Sequence, residues 1–582
     1  MWHAHAGLRF GQPPWSSFEM AYLSSYKLLL LAQVPMQATM YIPTFLSFFL
    51  LSLSLCQSGS AYLVQKPGLT VPSSDAQYKE QVKTMFRDSY AVYQKYAFGH
   101  DEVAPISGGF YDPRNGWGAT IVDALSTMKV MGLDDLFTEG VKFASKIDFS
   151  KSPTSNNVSV FESSIRYIGG LLSAYELSGF AYPVLVEKSK QLADKLVYAW
   201  VGNNDVPYGF VDFSTNSPQQ QVTNVAEAGS LTLEWATLSK YTKDDKYRKL
   251  AEKSALRIAR NSLPLPGLPA QGLDPATGNP LGAYVTWGGG TDSYLEYLIK
   301  YPRLNSSVDA TFVDSWRTAV TSSINTLMKK SIPGNHAYLA DFDDYRNIKH
   351  IGSHLACFHG GNWLLGGKLL NNQTIVNAAL DLVDACWNTY SSTATGIGPE
   401  QFAFVSSDGS YTGGPSPSAA DTAFNKAKGF YITASDYYLR PEVLESNFYA
   451  WRVTGDTKYL SRAADATKSF QMYLRDPSGG YGGFIDVNNQ KAARIDDTTS
   501  FWFAEVLKYL YLTFDDPSRF SLDNYVFNTE AHPLMVSAAP NTFGTGKLLK
   551  NPVHVLDAGS KLVALPRPSQ IPAALFPPSI RK

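Results

Sequence analysis

Seven times along the 582-residue chain, a segment apolar on every face is followed by a short turn and then by an amphipathic segment. The turns fall at 131–137, 177–182, 241–247, 300–304, 367–372, 453–459 and 512–517. A helix that is apolar all round must be buried, as 161–174 and 501–511 would be, whereas one with a charged face, such as 245–255, belongs on the outside. Seven inner and seven outer helices closing into one ring predict an all-α fold, an (α/α)7 barrel or toroid of seven helix hairpins. No strand-rich region is visible between the first and last of these segments.

If the inner helices all run the same way, their starts open on one rim, and polar residues there share one concave site. Those residues are Asp123, Glu162, Glu227, Asp292, His354, Glu442 and Glu505. A carboxylate in a first helical turn also meets the helix dipole favourably, by ~0.3–1 kcal/mol, so capping accounts for any single one. Six acids inside otherwise apolar helices ask for more, because a buried carboxylate without a partner costs on the order of several kcal/mol. Arg166, one turn after Glu162, and Arg440, just before Glu442, are the compensating cations. Such a rim points either to a divalent cation or to acid and base catalysis on a neutral substrate.

Composition narrows the ligand. Lys and Arg number 50 against 51 Asp and Glu, a formal charge of −1, so no general field draws the chain to nucleic acid or an anionic membrane. Aromatic residues at 13% beside only 17% charged ones suit an uncharged polar ligand such as carbohydrate, whose ring faces stack on aromatic side chains. His350 and His354 have a spacing that could hold zinc, but Gly352 and Ser353 between them favour the start of a helix over its continuation, and the Glu of a His-Glu-x-x-His motif is absent. The glycine-rich pieces 288–290 and 360–367 lack a preceding strand and a Lys-Ser/Thr pair, so no nucleotide is implied.

Residues 1–61 read as an N-terminal extension whose apolar run 45–56 ends at Cys56 and is followed by small residues to Ala61. This predicts a signal peptide, with an uncleaved signal anchor as the alternative and the only route to a membrane. Met40 directly precedes the run and is a second candidate start. Residues 62–75 form a linker, 76–535 the folded barrel, and 536–582 a Pro-rich irregular C-terminal tail. Sequons at Asn157, Asn305 and Asn372 are compatible with the lumen of the secretory pathway or with secretion.

Nine segments then carry a resemblance: Phe98-Gly-His-Asp-Glu-Val103, Gly116-Trp-Gly-Ala-Thr-Ile-Val-Asp-Ala-Leu125, Phe161-Glu-Ser-Ser-Ile-Arg166, Ala226-Glu-Ala-Gly-Ser-Leu231, Asp292-Ser-Tyr-Leu-Glu-Tyr297, His354-Leu-Ala-Cys357, Arg440-Pro-Glu-Val-Leu-Glu-Ser446, Phe501-Trp-Phe-Ala-Glu505 and Phe527-Asn-Thr-Glu-Ala-His-Pro533. In this order they resemble the class I α-1,2-mannosidases of glycoside hydrolase family 47, in wording most like the fungal branch. The resemblance implies the same (α/α)7 barrel and an inverting, calcium-dependent exo-hydrolase that removes terminal α-1,2-linked mannose from high-mannose N-glycans. It gives Glu162 the general-acid position, Asp292 that of an alternative or assisting acid, and Glu442 that of the base. Thr529 matches the Ca²⁺ ligand. Arg166, Glu227, His354, Arg440, Glu445, Phe501, Glu505 and Glu530 match positions that orient sugar, waters or catalytic groups, and Cys357 and Cys386 match a disulfide pair. One position departs: Thr499 stands where the family usually carries a carboxylate, for which Asp496 or Asp497 could substitute. A weakly or non-catalytic member that recognises mannose glycans in glycoprotein quality control is the alternative reading.

Overall fold

The computed structural model describes residues 63–540, 542–556, 562 and 565. The signal segment with Met40 and Cys56, and the tail beyond 565, lie outside the described residues. In chain order the helices of the ring are α1 (Ala76–Tyr96), α2 (Ala119–Met131), α3 (Asp134–Ala144), α4 (Gly169–Leu177), α5 (Val184–Leu196), α6 (Thr232–Thr242), α7 (Lys246–Ala259), α8 (Asp292–Leu304), α9 (Thr311–Thr326), α10 (His359–Leu369), α11 (Gln373–Ser391), α12 (Glu442–Thr454), α13 (Lys458–Tyr473) and α14 (Leu507–Phe514). Even-numbered helices form the inner layer. Each packs on the next, α2 on α4 and so on to α14, which returns to α2 and closes the ring. This is the (α/α)7 barrel expected from the turns.

The two layers follow from which faces are apolar. In α2 every residue except Lys129 is buried, whereas α3 buries only Phe137, Gly140, Val141 and Ala144, one stripe of its surface. Gly132 (φ 67°) ends α2 and Gly455 (φ 68°) ends α12, left-handed caps that let each inner helix turn back at once. Helices approach closely where glycine permits it: a Cβ on Gly366 of α10 would lie 2.1 Å from the Trp316 ring of α9. That indole is fully buried and donates from Nε1 to the Asn362 side-chain oxygen at 2.8 Å. A disulfide between Cys357 and Cys386 ties the turn that precedes α10 to α11.

The structure differs from the sequence reading at three places. The stretch 300–304 is the last turn of α8 rather than a connection, and Pro302 sits inside the helix. Proline removes one helix hydrogen bond there, but Lys300 bonds Glu296 and Arg303 donates to the Ser537 carbonyl at 2.9 Å, so tertiary partners hold the turn. Among the described residues the segment after α14 supplies no outer helix; α14 is covered by α1, which completes the seventh pair. Short antiparallel ladders also appear in the rim connections, among them 157–159 with 210–212, 223–224 with 272–274, and 351–353 with 401–403. Strands of two to four residues are too short for alternation to register in a sequence.

One hairpin fills the interior. Tyr525–Phe527 pairs with Pro533–Met535, Val526 opposite Leu534. Phe527 packs on Phe448 of α12 and Tyr509 of α14, ring centroids 5.9 and 6.0 Å away, and Ser173 of α4 donates to the Pro533 carbonyl at 2.7 Å. Its tip, Asn528 to His532, lies among the inner helices. The tail that follows runs over the outer layer, where the Thr545 amide donates to Asp314 of α9 at 3.0 Å. No helix among the described residues is long and apolar enough to cross a membrane.

Candidate active site

Of the seven residues expected on the rim, Glu162, Glu227, Asp292, Glu442 and Glu505 line one cleft, whereas Asp123 and His354 are buried and do not line it. Asp292 and Glu442 are the first residues of α8 and α12, and Glu162 and Glu227 lie in the short helical turns Val160–Glu162 and Val225–Gly229 that lead into α4 and α6. Ser159 and Asn224 cap those turns, accepting from the amides of Glu162 at 3.2 Å and Glu227 at 2.9 Å. Ser163–Ile168 and Trp502–Val506 are wide π turns, a local unwinding that re-aims side chains, and they carry Arg166 and Glu505. These residues line one cleft of about 870 Å³, toward the upper end of the ~300–1,000 Å³ usual for small-ligand sites.

Of the residues singled out in the sequence, Glu162, Arg166, Glu227, Asp292, Arg440, Glu442, Phe501, Glu505, Thr529 and Glu530 line this cleft. His354 and Glu445 stand behind it. His354 Nδ1 lies 2.7 Å from Glu442 Oε2 and Nε2 lies 2.7 Å from the Tyr390 hydroxyl. A carboxylate only accepts, so Nδ1 carries the proton. Both ring nitrogens are therefore engaged, and His350 lies between two short strands and bonds Ser406 at 2.8 Å, so the two histidines do not share one helix face. Glu445 accepts from Tyr509 at 3.2 Å and lies 3.6 Å from Lys300. Cys357 and Cys386 stay in the scaffold.

The two sides of the cleft differ in charge. Arg166 donates from Nε to Glu162 at 2.7 Å, and its Nη1 reaches Glu530, Asp123 at 3.4 Å and Ser500 at 3.3 Å. Arg114 adds a second cation, Nε 3.3 Å from Glu162. Burial pushes the Glu162 carboxyl up, yet Arg114 and Arg166 outweigh it and hold it below the usual carboxylate range. Across the cleft, burial is opposed at Glu442 by the His354 hydrogen bond and the Arg440 charge, so this carboxyl also stays low. Asp292 forms no ion pair among the described residues and accepts only from Ser293. Burial, with the charges of Glu296 and Glu442, outweighs the Ser293 amide and raises it to about 7. The site thus pairs a carboxylate that stays ionised with one whose proton is held into the neutral range.

Several members escaped the sequence reading. Arg114 sits in a loop whose amides, with those of Gly116 and Ala119, converge on the buried Asp101 carboxylate. Glu400 binds the Arg440 guanidinium, and Leu439 beside it adopts a left-handed φ of 61°, strain that aims the arginine. Neither Arg114 nor Glu400 stands in a helix start, the only pattern the sequence offered. At the departing position, Thr499 lies in the cleft wall next to Asp497, and both Asp497 Oδ1 and Thr499 Oγ1 are buried without a partner among the described residues. Asp496 is engaged elsewhere, accepting from the Ile106 amide at 2.8 Å.

For a hard cation the fit is good. The Thr529 amide donates to Tyr297, while its carbonyl and hydroxyl form no hydrogen bond among the described residues. Burial and the nearby Glu530 charge destabilise the Glu505 anion beside it. Two oxygens on one residue in an acid-rich wall suit Ca²⁺, which accepts carbonyl, hydroxyl and water ligands together. No cluster of three or more His, Cys, Asp or Glu side chains that could hold a metal directly occurs among the described residues.

Comparison with known proteins agrees with this geometry. Residues 85–536 match Glycosyl hydrolase family 47. The chain is 38% identical over 526 residues to mannosyl-oligosaccharide alpha-1,2-mannosidase 1B of Aspergillus phoenicis, covering 86% of this chain and 100% of that one. It is 38% identical over 489 residues to the mannosyl-oligosaccharide alpha-1,2-mannosidase of Penicillium citrinum, 80% and 93% covered. Among solved structures, the alpha-1,2-mannosidase of Trichoderma reesei superposes with a TM-score of 0.76 at 35% identity, over 79% of this chain and 99% of that one.

Proposed function

This chain belongs to glycosyl hydrolase family 47, and we propose that it removes terminal α-1,2-linked mannose from high-mannose N-glycans in the secretory pathway, inverting the anomeric centre and requiring calcium. The observation that carries the mechanism is the opposed pair Asp292 and Glu442 in one cleft: His354 Nδ1 lies 2.7 Å from Glu442, beside Arg440, and favours its anion, whereas Asp292 accepts only from Ser293 among the described residues and is pushed up by burial. Glu442 takes a proton from water as its oxygen attacks the anomeric carbon. The bond to the leaving oxygen breaks, and that oxygen takes its proton from Asp292. Glu162 matches the family's general-acid position, but with Arg114 and Arg166 holding it ionised it acts in this reading as an anion facing the positive charge of the transition state. Thr529 would hold Ca²⁺ through its carbonyl and hydroxyl, with water completing the shell; Asp497 and Thr499, both with unpartnered oxygens, would steady that water. When bound, the cation supplies charge that orients sugar hydroxyls in the cleft.

Direct attack by water requires that mannose leave as the β-anomer, whereas a covalent glycosyl intermediate would release the α-anomer. Proton NMR during the first minutes of hydrolysis of an α-1,2-linked mannose oligosaccharide should show β-mannose before mutarotation mixes the anomers. α-Mannose appearing first, or full activity in Glu442→Gln, would overturn the mechanism.

A further inference from the structure

Glu234 of α6 is fully buried, does not line the cleft, and has no role in the chemistry above. A carboxylate in such a place is costly unless its hydrogen bonds need it. Its Oε1 accepts from the Tyr297 hydroxyl at 2.6 Å and from Asn528 Nδ2 at 2.7 Å, whereas Oε2 has no partner among the described residues. Both donors lead to the hairpin tip. The Tyr297 oxygen accepts the Thr529 amide at 3.1 Å. Asn528 Oδ1 accepts the amides of Glu530 at 3.0 Å and His532 at 2.8 Å.

Peptide planarity turns this into orientation. The Thr529 carbonyl and the Glu530 N–H belong to one trans peptide and point in opposite directions. With that N–H drawn to Asn528, the carbonyl is turned the other way, away from the buried network. The N–H of Thr529 is fixed on its other side by Tyr297. The N–H bonds of both peptide planes of Thr529 therefore run back to Glu234, while the Asn528 carbonyl in the first plane accepts from the Ala531 amide at 3.0 Å.

We propose that Glu234 is a positioning residue for calcium, acting through Tyr297 and Asn528 to present the Thr529 carbonyl and hydroxyl together to the cleft. The inference rests on the calcium reading above. Outer groups that orient a metal's ligands typically change affinity by about 10–100-fold when removed.

The test titrates calcium-free enzyme with CaCl₂ and follows the melting temperature, in the parent enzyme, Glu234→Gln and Tyr297→Phe. Both variants should need at least about tenfold more calcium than the parent to reach a given rise above their own melting temperature in EDTA. The double variant should be little worse than the more affected single one, because both act through one chain of bonds. Should Glu234→Gln fail to fold, Tyr297→Phe, which loses a single oxygen, decides alone. A parent enzyme that responds to calcium beside variants with unchanged affinity overturns the positioning role only. A parent enzyme with no response to calcium overturns the calcium reading, and this inference with it.

Discussion

At the scale of single residues, the site is two carboxylates pushed apart by different neighbours. Glu442 has His354 and Arg440 and ionises readily; Asp292 has burial and like charges and keeps its proton up to about pH 7. The reactive form needs Glu442 charged and Asp292 protonated. Activity should therefore fall at low pH as Glu442 takes up a proton, and fall again as pH rises through about 7 and Asp292 loses one. A pH profile of kcat/KM checks this, and Asp292→Asn should lower the maximum and abolish the alkaline limb. If the limb survives in Asp292→Asn and disappears in Glu162→Gln, the proton comes from Glu162. The acids were legible in the sequence because each interrupts an apolar helix near its start. Their cations were legible only where they lay within a turn, as Arg166 does. Arg114 and Glu400 sit in connections far along the chain from Glu162 and Arg440, and only folding brings them together.

Among elements, the inner helices were readable because they are apolar on all faces, and most turns because glycine, asparagine or aspartate marks them. Pro302 misled, since its helix is held by Lys300 and Arg303 contacts that no local pattern displays. Close packing of the layers was likewise invisible, because a glycine in a helix reads as a weakness until its neighbour is known. Gly366 is such a case. Gly366→Ala raises helix propensity by ~1 kcal/mol but places a methyl 2.1 Å from the rigid Trp316 ring. The clash should win, and the variant should lose at least about 1–3 kcal/mol, read as a lower urea midpoint at unchanged slope. A stabilised Gly366→Ala would mean that α9 and α10 separate more easily than this packing implies.

At the scale of the molecule, the inner hairpin links what the ring alone leaves as separate pairs. Its tip is bonded to α2 through His532 and Ser126, to α6 through Glu234, to α8 through Tyr297 and to α14 through Lys508. A cation held at Thr529 should therefore stabilise the barrel as a whole, by ~2.7 kcal/mol at a hundredfold excess over its dissociation constant. EDTA should lower the melting temperature of the parent enzyme and leave that of Thr529→Ala nearly unchanged. The hairpin also decides traffic. Asn528, Ala531 and His532 are fully buried beneath Thr529, so the floor of the cleft is sealed. The ring is a cup and not a tunnel: each freed mannose leaves by the mouth through which the glycan entered, and the shortened glycan must draw back before the next sugar can reach the floor. A closed floor should favour release of the glycan between cuts, and a time course at low enzyme that shows each intermediate rise and fall in turn would bear this out, whereas full trimming with no intermediates in solution would count against it.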